Sequence, residues 1–73
     1  MQQKLMDILN SVLRKKEMKE LKSINKEIKL RDDLNFDSLE LAELTVKIED
    51  EFGIDIFSDG LVYTIGDILN KLL

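Results

Sequence analysis

The chain has no cysteine, no histidine and no proline. Without cysteine it forms neither disulfides nor thiolate metal sites, and any thiol chemistry has to come from a prosthetic group. Without histidine it lacks the usual general base and the commonest zinc ligand. Without proline, and with only three glycines in 73 residues, helices can run long. No apolar run reaches the roughly 20 residues needed to span a bilayer. No charged-apolar-small N-terminal segment suggests a signal peptide. The expectation is a soluble, cytoplasmic, monomeric protein that does not engage membranes. The length makes one domain, residues 1–73, without room for a second core.

The net charge of −4 hides an asymmetry. Residues 1–31 carry +5 and residues 32–73 carry −9. The basic cluster Arg14, Lys15, Lys16, Lys19, Lys22, Lys26 and Lys29 could touch nucleic acid. Glu17, Glu20 and Glu27 interleave with it, however, and no aromatic accompanies it for base stacking. A solvated face is the expected reading, with no nucleic-acid partner.

The hydrophobic pattern is helical, with no convincing strand. Leu5, Ile8, Leu9, Val12 and Leu13 recur at helical spacing and predict a first helix over about residues 3–15. Residues 16–36 are ambiguous and read as a long, partly helical connection pinned to the core by Ile28, Leu30 and Leu34. A second helix is expected over about 38–52, ending at Gly53. Ser58-Asp59-Gly60 marks a turn, after which a short helical turn is expected. Thr64 can cap the last helix, with Asp67 at N3 and Tyr63 and Ile68 as staple partners. Ile65, Ile68, Leu69 and Leu72 give that helix its apolar face. The fold class is all-α: a small bundle of three main helices plus a short helical turn, with a long connection between the first and second main helices.

The tetrapeptide Asp37-Ser38-Leu39-Glu40 opens the second helix. Asp37 has the short acceptor side chain wanted at an N-cap, and Glu40 stands where a capping box needs it. Phe36 and Leu41 can form the accompanying staple. Ser38 then lies in the first turn, pointing outward, where backbone N–H groups and the helix dipole favour an anion such as a phosphate ester. The helix carries two apolar stripes. Leu41, Leu44, Ile48 and Phe52 should face the core. Leu39, Ala42 and Val46, flanked by Glu40, Glu43, Glu49 and Asp50, form a second stripe. It either packs under the connection or serves as a docking face, with carboxylates to steer basic partners.

The segment from Leu30 to Leu41, Leu-Arg-Asp-Asp-Leu-Asn-Phe-Asp-Ser-Leu-Glu-Leu, resembles the phosphopantetheine attachment region of acyl carrier proteins. The resemblance continues through residues 48–56, similar to the end of that family's second helix and its exit loop, and through Thr64-Ile65-Gly66-Asp67-Ile68. Two positions depart from the family pattern. Asn35 stands where glycine is usual, and Asn tolerates left-handed backbone angles better than most residues. Phe36 stands where fatty-acid carriers commonly have a small residue. The resemblance implies that a phosphopantetheinyl transferase attaches 4′-phosphopantetheine from coenzyme A covalently to Ser38. It implies that the arm carries acyl groups as thioesters to acyl-loading, condensing and releasing enzymes of fatty-acid, polyketide or related biosynthesis. Asp37, Leu39, Glu40, Glu43, Val46, Glu49 and Asp50 would be the transferase and partner contacts. Phe36 and the lysine-rich connection lean toward a specialised carrier rather than housekeeping fatty-acid synthesis. The alternative is a helical protein-interaction domain of the same fold that is never modified.

Other chemistries fare poorly. Paired-carboxylate catalysis needs acids facing each other across a cleft, and those here line a helix surface. Asp55, Asp59 and Asp67 do not match an EF-hand loop, so no metal site is expected. There is no Walker loop or dinucleotide fingerprint, and the lone Tyr63 reads as an edge of the core rather than a catalyst. No catalytic residue is expected, and the protein is not expected to be an enzyme.

Overall fold

A computed structural model describes residues 2–58, 60 and 62–72. Three helices follow one another: α1 (Gln2–Lys15), α2 (Ser38–Phe52) and α3 (Ile65–Leu72). Among the described residues there is no strand, only an isolated antiparallel bridge between Lys29 and Thr64. None of the described helices is long and apolar enough to cross a membrane.

The α1 face built from Leu5, Leu9, Val12 and Leu13 is fully buried, with Ile8 half-buried beside it. The helix closes on Glu17, whose φ of 58° is left-handed. Glu17 N–H donates to Arg14 O at 3.0 Å and Met18 N–H to Leu13 O at 3.0 Å. This is a Schellman closure with glutamate where glycine is the usual residue, and Met18 packs on the core as the accompanying hydrophobic contact.

The long connection contains hydrogen-bonded turns and no α-helix. Its expected partly helical character gives way to tertiary pairing. Leu30 N–H donates to Tyr63 O at 2.8 Å, Ile65 N–H to Ile28 O at 3.0 Å and Gly66 N–H to Lys26 O at 3.0 Å. Leu30 and Leu34 are buried as expected, and Ile28 is half-buried against the same core. Asn35 has φ 59°, so asparagine does supply the left-handed turn there. Phe36 is buried and is among the largest side chains of the core.

The free N–H groups of α3 are fully accounted for. Ile65 and Gly66 donate to the connection, and Asp67 N–H donates to Thr64 Oγ1 at 3.1 Å. Asp67 Oδ2 accepts the N–H of Tyr63 at 2.9 Å and of Thr64 at 3.1 Å, completing the expected capping box. Ile65, Ile68, Leu69 and Leu72 are all buried. Between α2 and α3, residues 56–58 form a turn in which Ser58 N–H and Oγ donate to Asp55 O at 3.3 and 3.0 Å. Residue 59 of the expected Ser58-Asp59-Gly60 turn, and residue 61 of the short helical turn expected after it, lie outside the described residues.

Candidate functional site

The entry to α2 is built around one carboxylate. Asp37, extended at φ −94° and ψ −172°, is the N-cap, and its Oδ1 accepts the N–H of Leu39 at 2.9 Å and of Glu40 at 3.0 Å. Glu40 Oε1 reaches back to accept Asp37 N–H at 3.0 Å, which completes the capping box. The Asp37 carboxyl is held below its ordinary pKa, chiefly by the Glu40 N–H, with further help from the Leu39 N–H and the charge of Lys16.

Ser38 is the first residue of α2, and it is exposed. The expected cap limits what the backbone of this turn still offers an anion. Two of its three leading N–H groups are already taken by Asp37, so an added phosphate would find the dipole and the Ser38 N–H rather than an empty nest. What remains is an outward hydroxyl on a rigidly capped turn.

The two stripes of α2 separate as the spacing predicts. Leu44 and Ile48 are buried, with Leu41 and Phe52 half-buried. Leu39 is 74% and Val46 66% exposed, and Ala42 is exposed beside them. The second stripe therefore does not pack under the connection. The flanking acids are not equivalent. Glu40 accepts from Lys16 Nζ at 2.8 Å, and Glu43 from Lys15 Nζ at 2.9 Å with Lys47 at 4.0 Å. Glu49 and Asp50 are exposed and border a shallow hollow with Val46. Three of the seven residues of the basic cluster are paired in this way, since Arg14 also meets Glu20, at 2.8 Å.

Beside Ser38 lies a half-open groove of about 640 Å³, within the range of ligand-sized clefts. Leu41, Ala42 and Thr45 of α2 form one wall, and Phe57, Val62, Tyr63 and Thr64 the other. Lys29, Arg31 and Asp32 of the connection line it as well. Sequence reasoning missed this groove, because its walls come from segments distant in the chain. It also placed Tyr63 at the edge of the core, whereas Tyr63 is 61% exposed. The bond from Leu30 N–H to Tyr63 O fixes only its backbone, and the ring is left on the groove.

An exposed serine on a capped turn next to an apolar cleft suits a tethered prosthetic group, with the tether on the hydroxyl and the cleft within reach of what it carries. Residues 3–70 match the family model described as the phosphopantetheine attachment site. An acyl carrier protein of Thermotoga maritima is 39% identical over 51 residues, which covers 67% of this chain and 63% of that relative. No solved structure matches the chain. The chain belongs to the acyl carrier protein family, whose prosthetic group is covalently bound 4′-phosphopantetheine.

Proposed function

We propose that Ser38 is the attachment point of 4′-phosphopantetheine and that the chain is a non-enzymatic carrier. The observation that carries this reading is the exposed Ser38 hydroxyl at the first position of α2, held between the capping residue Asp37 and the exposed Leu39. When bound, the group supplies a flexible arm ending in a thiol on which an acyl group is held as a thioester. The chain's own residues do the rest by position. Asp37 ties down the first turn, so the hydroxyl is presented to a transferase in one orientation. Leu39 adds an apolar contact one residue on, and the groove lined by Leu41, Ala42, Phe57 and Val62 can shelter apolar parts of what is tethered nearby. Tethering raises the effective concentration of the cargo at successive partner enzymes without requiring chemistry from the carrier.

Partner contact is assigned to the exposed stripe Leu39, Ala42 and Val46 with the open carboxylates Glu49 and Asp50. Glu40 and Glu43 belong to the same face but are shared with Lys16 and Lys15. A phosphopantetheinyl transferase and acyl-handling enzymes with basic docking patches are the partners this surface fits. The test is intact mass after incubation with a transferase and coenzyme A. The wild type should gain one phosphopantetheine and Ser38→Ala none, while both melt at nearly the same temperature because Asp37 supplies the cap. Modification that persists in Ser38→Ala would move the site elsewhere. A wild type that stays unmodified would favour a domain of this fold that serves as an interaction module.

A further inference from the structure

Lys16 is the residue immediately after α1. The Schellman closure at Glu17 and Met18 fixes the direction in which the chain leaves the helix at that point. Lys16 Nζ lies 2.8 Å from Glu40 Oε1, and the two side chains are only 24% and 15% exposed, the most sheltered ion pair among the described residues. The same Oε1 atom accepts the Asp37 N–H at 3.0 Å. Asp37 in turn holds the N–H groups of Leu39 and Glu40 on one oxygen. Ser38 is thus bracketed by residues of a single network whose far end is Lys16, just past the end of α1.

The electrostatics give that anchor a purpose. Asp37 and Glu40 bring two carboxylates into one helical turn, and their repulsion works against the reciprocal cap. The Lys16 ammonium offsets it, and also confines the Glu40 side chain to the rotamer that accepts from Asp37. The neighbouring pair of Lys15 and Glu43 does neither. It is more exposed, at 66% and 28%, and touches no cap.

We infer that Lys16 is a positioning residue for modification at Ser38, acting through Glu40. This rests on the reading of Ser38 as the attachment point. It also implies that the Lys16–Glu40 pair stays closed while a partner is docked, rather than opening to give Glu40 to that partner.

The test compares wild type, Lys16→Gln, Lys16→Arg and Lys15→Gln as full chains, under conditions where circular dichroism shows each fully folded. One readout is amide hydrogen exchange at Leu39 and Glu40. The other is the initial rate of phosphopantetheine addition by a transferase with coenzyme A, followed by intact mass. Lys16→Gln should exchange about threefold faster at both amides and load about threefold more slowly, with the loss in kcat rather than KM. Lys16→Arg should restore both, and Lys15→Gln should leave the exchange at the wild-type rate. Unchanged exchange in Lys16→Gln would overturn the inference. So would faster loading, because it would mean that partners compete with Lys16 for Glu40. If the wild type is not loaded at all, the reading of Ser38 fails, and the exchange rates alone decide whether Lys16 holds the turn.

Discussion

Asn10 and Leu21 hold each other in both directions. Asn10 Nδ2 donates to Leu21 O at 3.0 Å, and Leu21 N–H donates to Asn10 Oδ1 at 2.7 Å. Asn10 is the one buried polar side chain among the described residues, at 7% exposure on the inner face of α1. The pair substitutes for the backbone bonds that a helix or strand would give Leu21, and so explains how an irregular connection stays ordered without either.

Asn10→Ala removes the partner of both Leu21 groups at once. The unpaired N–H and C=O should cost about 1–3 kcal/mol, a large fraction of what a domain of this size has. Chemical denaturation measures the loss, and amide exchange across residues 19–24 should rise more than exchange in α2. If the loss is spread evenly over the molecule, Asn10 is an ordinary core residue and not the anchor of the connection.

Gly66 is in contact with the connection at its closest approach. A Cβ built there would lie 2.9 Å from Lys26 O, the atom that accepts Gly66 N–H. In an open helix, alanine would stabilise by up to about 1 kcal/mol. Here it should instead destabilise by about 1–3 kcal/mol, because backbone has to move. Thermal unfolding of Gly66→Ala gives the sign. A melting temperature at or above the wild type would mean that the connection has room to give.

Asp37, the cap of α2, and Asp67, the N3 partner in the capping box of α3, share one pH signature. Asp67 is held below its ordinary pKa chiefly by the Tyr63 N–H and then by the Thr64 N–H, as Asp37 is by the Glu40 N–H. Both folded-state pKa values lie below the unfolded ones, so the unfolded chain binds more protons between them. Their contribution is therefore present above the ordinary carboxylate pKa of about 4 and is lost as pH falls below it. The melting temperature should be nearly flat from pH 5 to 7 as far as these groups matter, and should fall below about pH 4. Asp67→Asn should flatten part of the acid fall. An unchanged acid limb in that variant would place the sensitivity elsewhere.

What the sequence makes legible is what short-range chemistry decides. Asp37 with Glu40, Thr64 with Asp67, and Gly53 at φ 71° are local signals, and each forms the cap its spacing predicts. Leu44 and Ile48 separate from Leu39 and Val46 because period 3.6 puts them on opposite faces. The connection was not legible because its bonds are long-range. Asn10 to Leu21, Lys26 to Gly66 and Leu30 to Tyr63 join residues that no local pattern relates. The groove beside Ser38 was missed for the same reason, and so was the capture of Glu40 and Glu43 by the end of α1.

The two faces of α2 give the most direct check on the docking surface. Ile48 is fully buried and Val46 is 66% exposed, although a single residue separates them. Ile48→Ala should cost about 2–5 kcal/mol, a large part of what so small a domain has. Val46→Ala should stay within about 0.5 kcal/mol of wild type yet weaken productive contact with a loading partner. The acids divide in the same way. Glu49→Lys and Asp50→Lys reverse charges with no internal partner in the described structure, so they should spare the fold and slow partner association, and added salt should shrink that effect. Glu43→Lys would bring a third cation to Lys15 and Lys47, so it should lower thermal stability as well. The measurement is thermal stability set against partner turnover for all five variants at low and high salt. If Val46→Ala destabilises as much as Ile48→Ala, or if Glu49→Lys leaves association unchanged at low salt, the exposed stripe is not the face that partners touch.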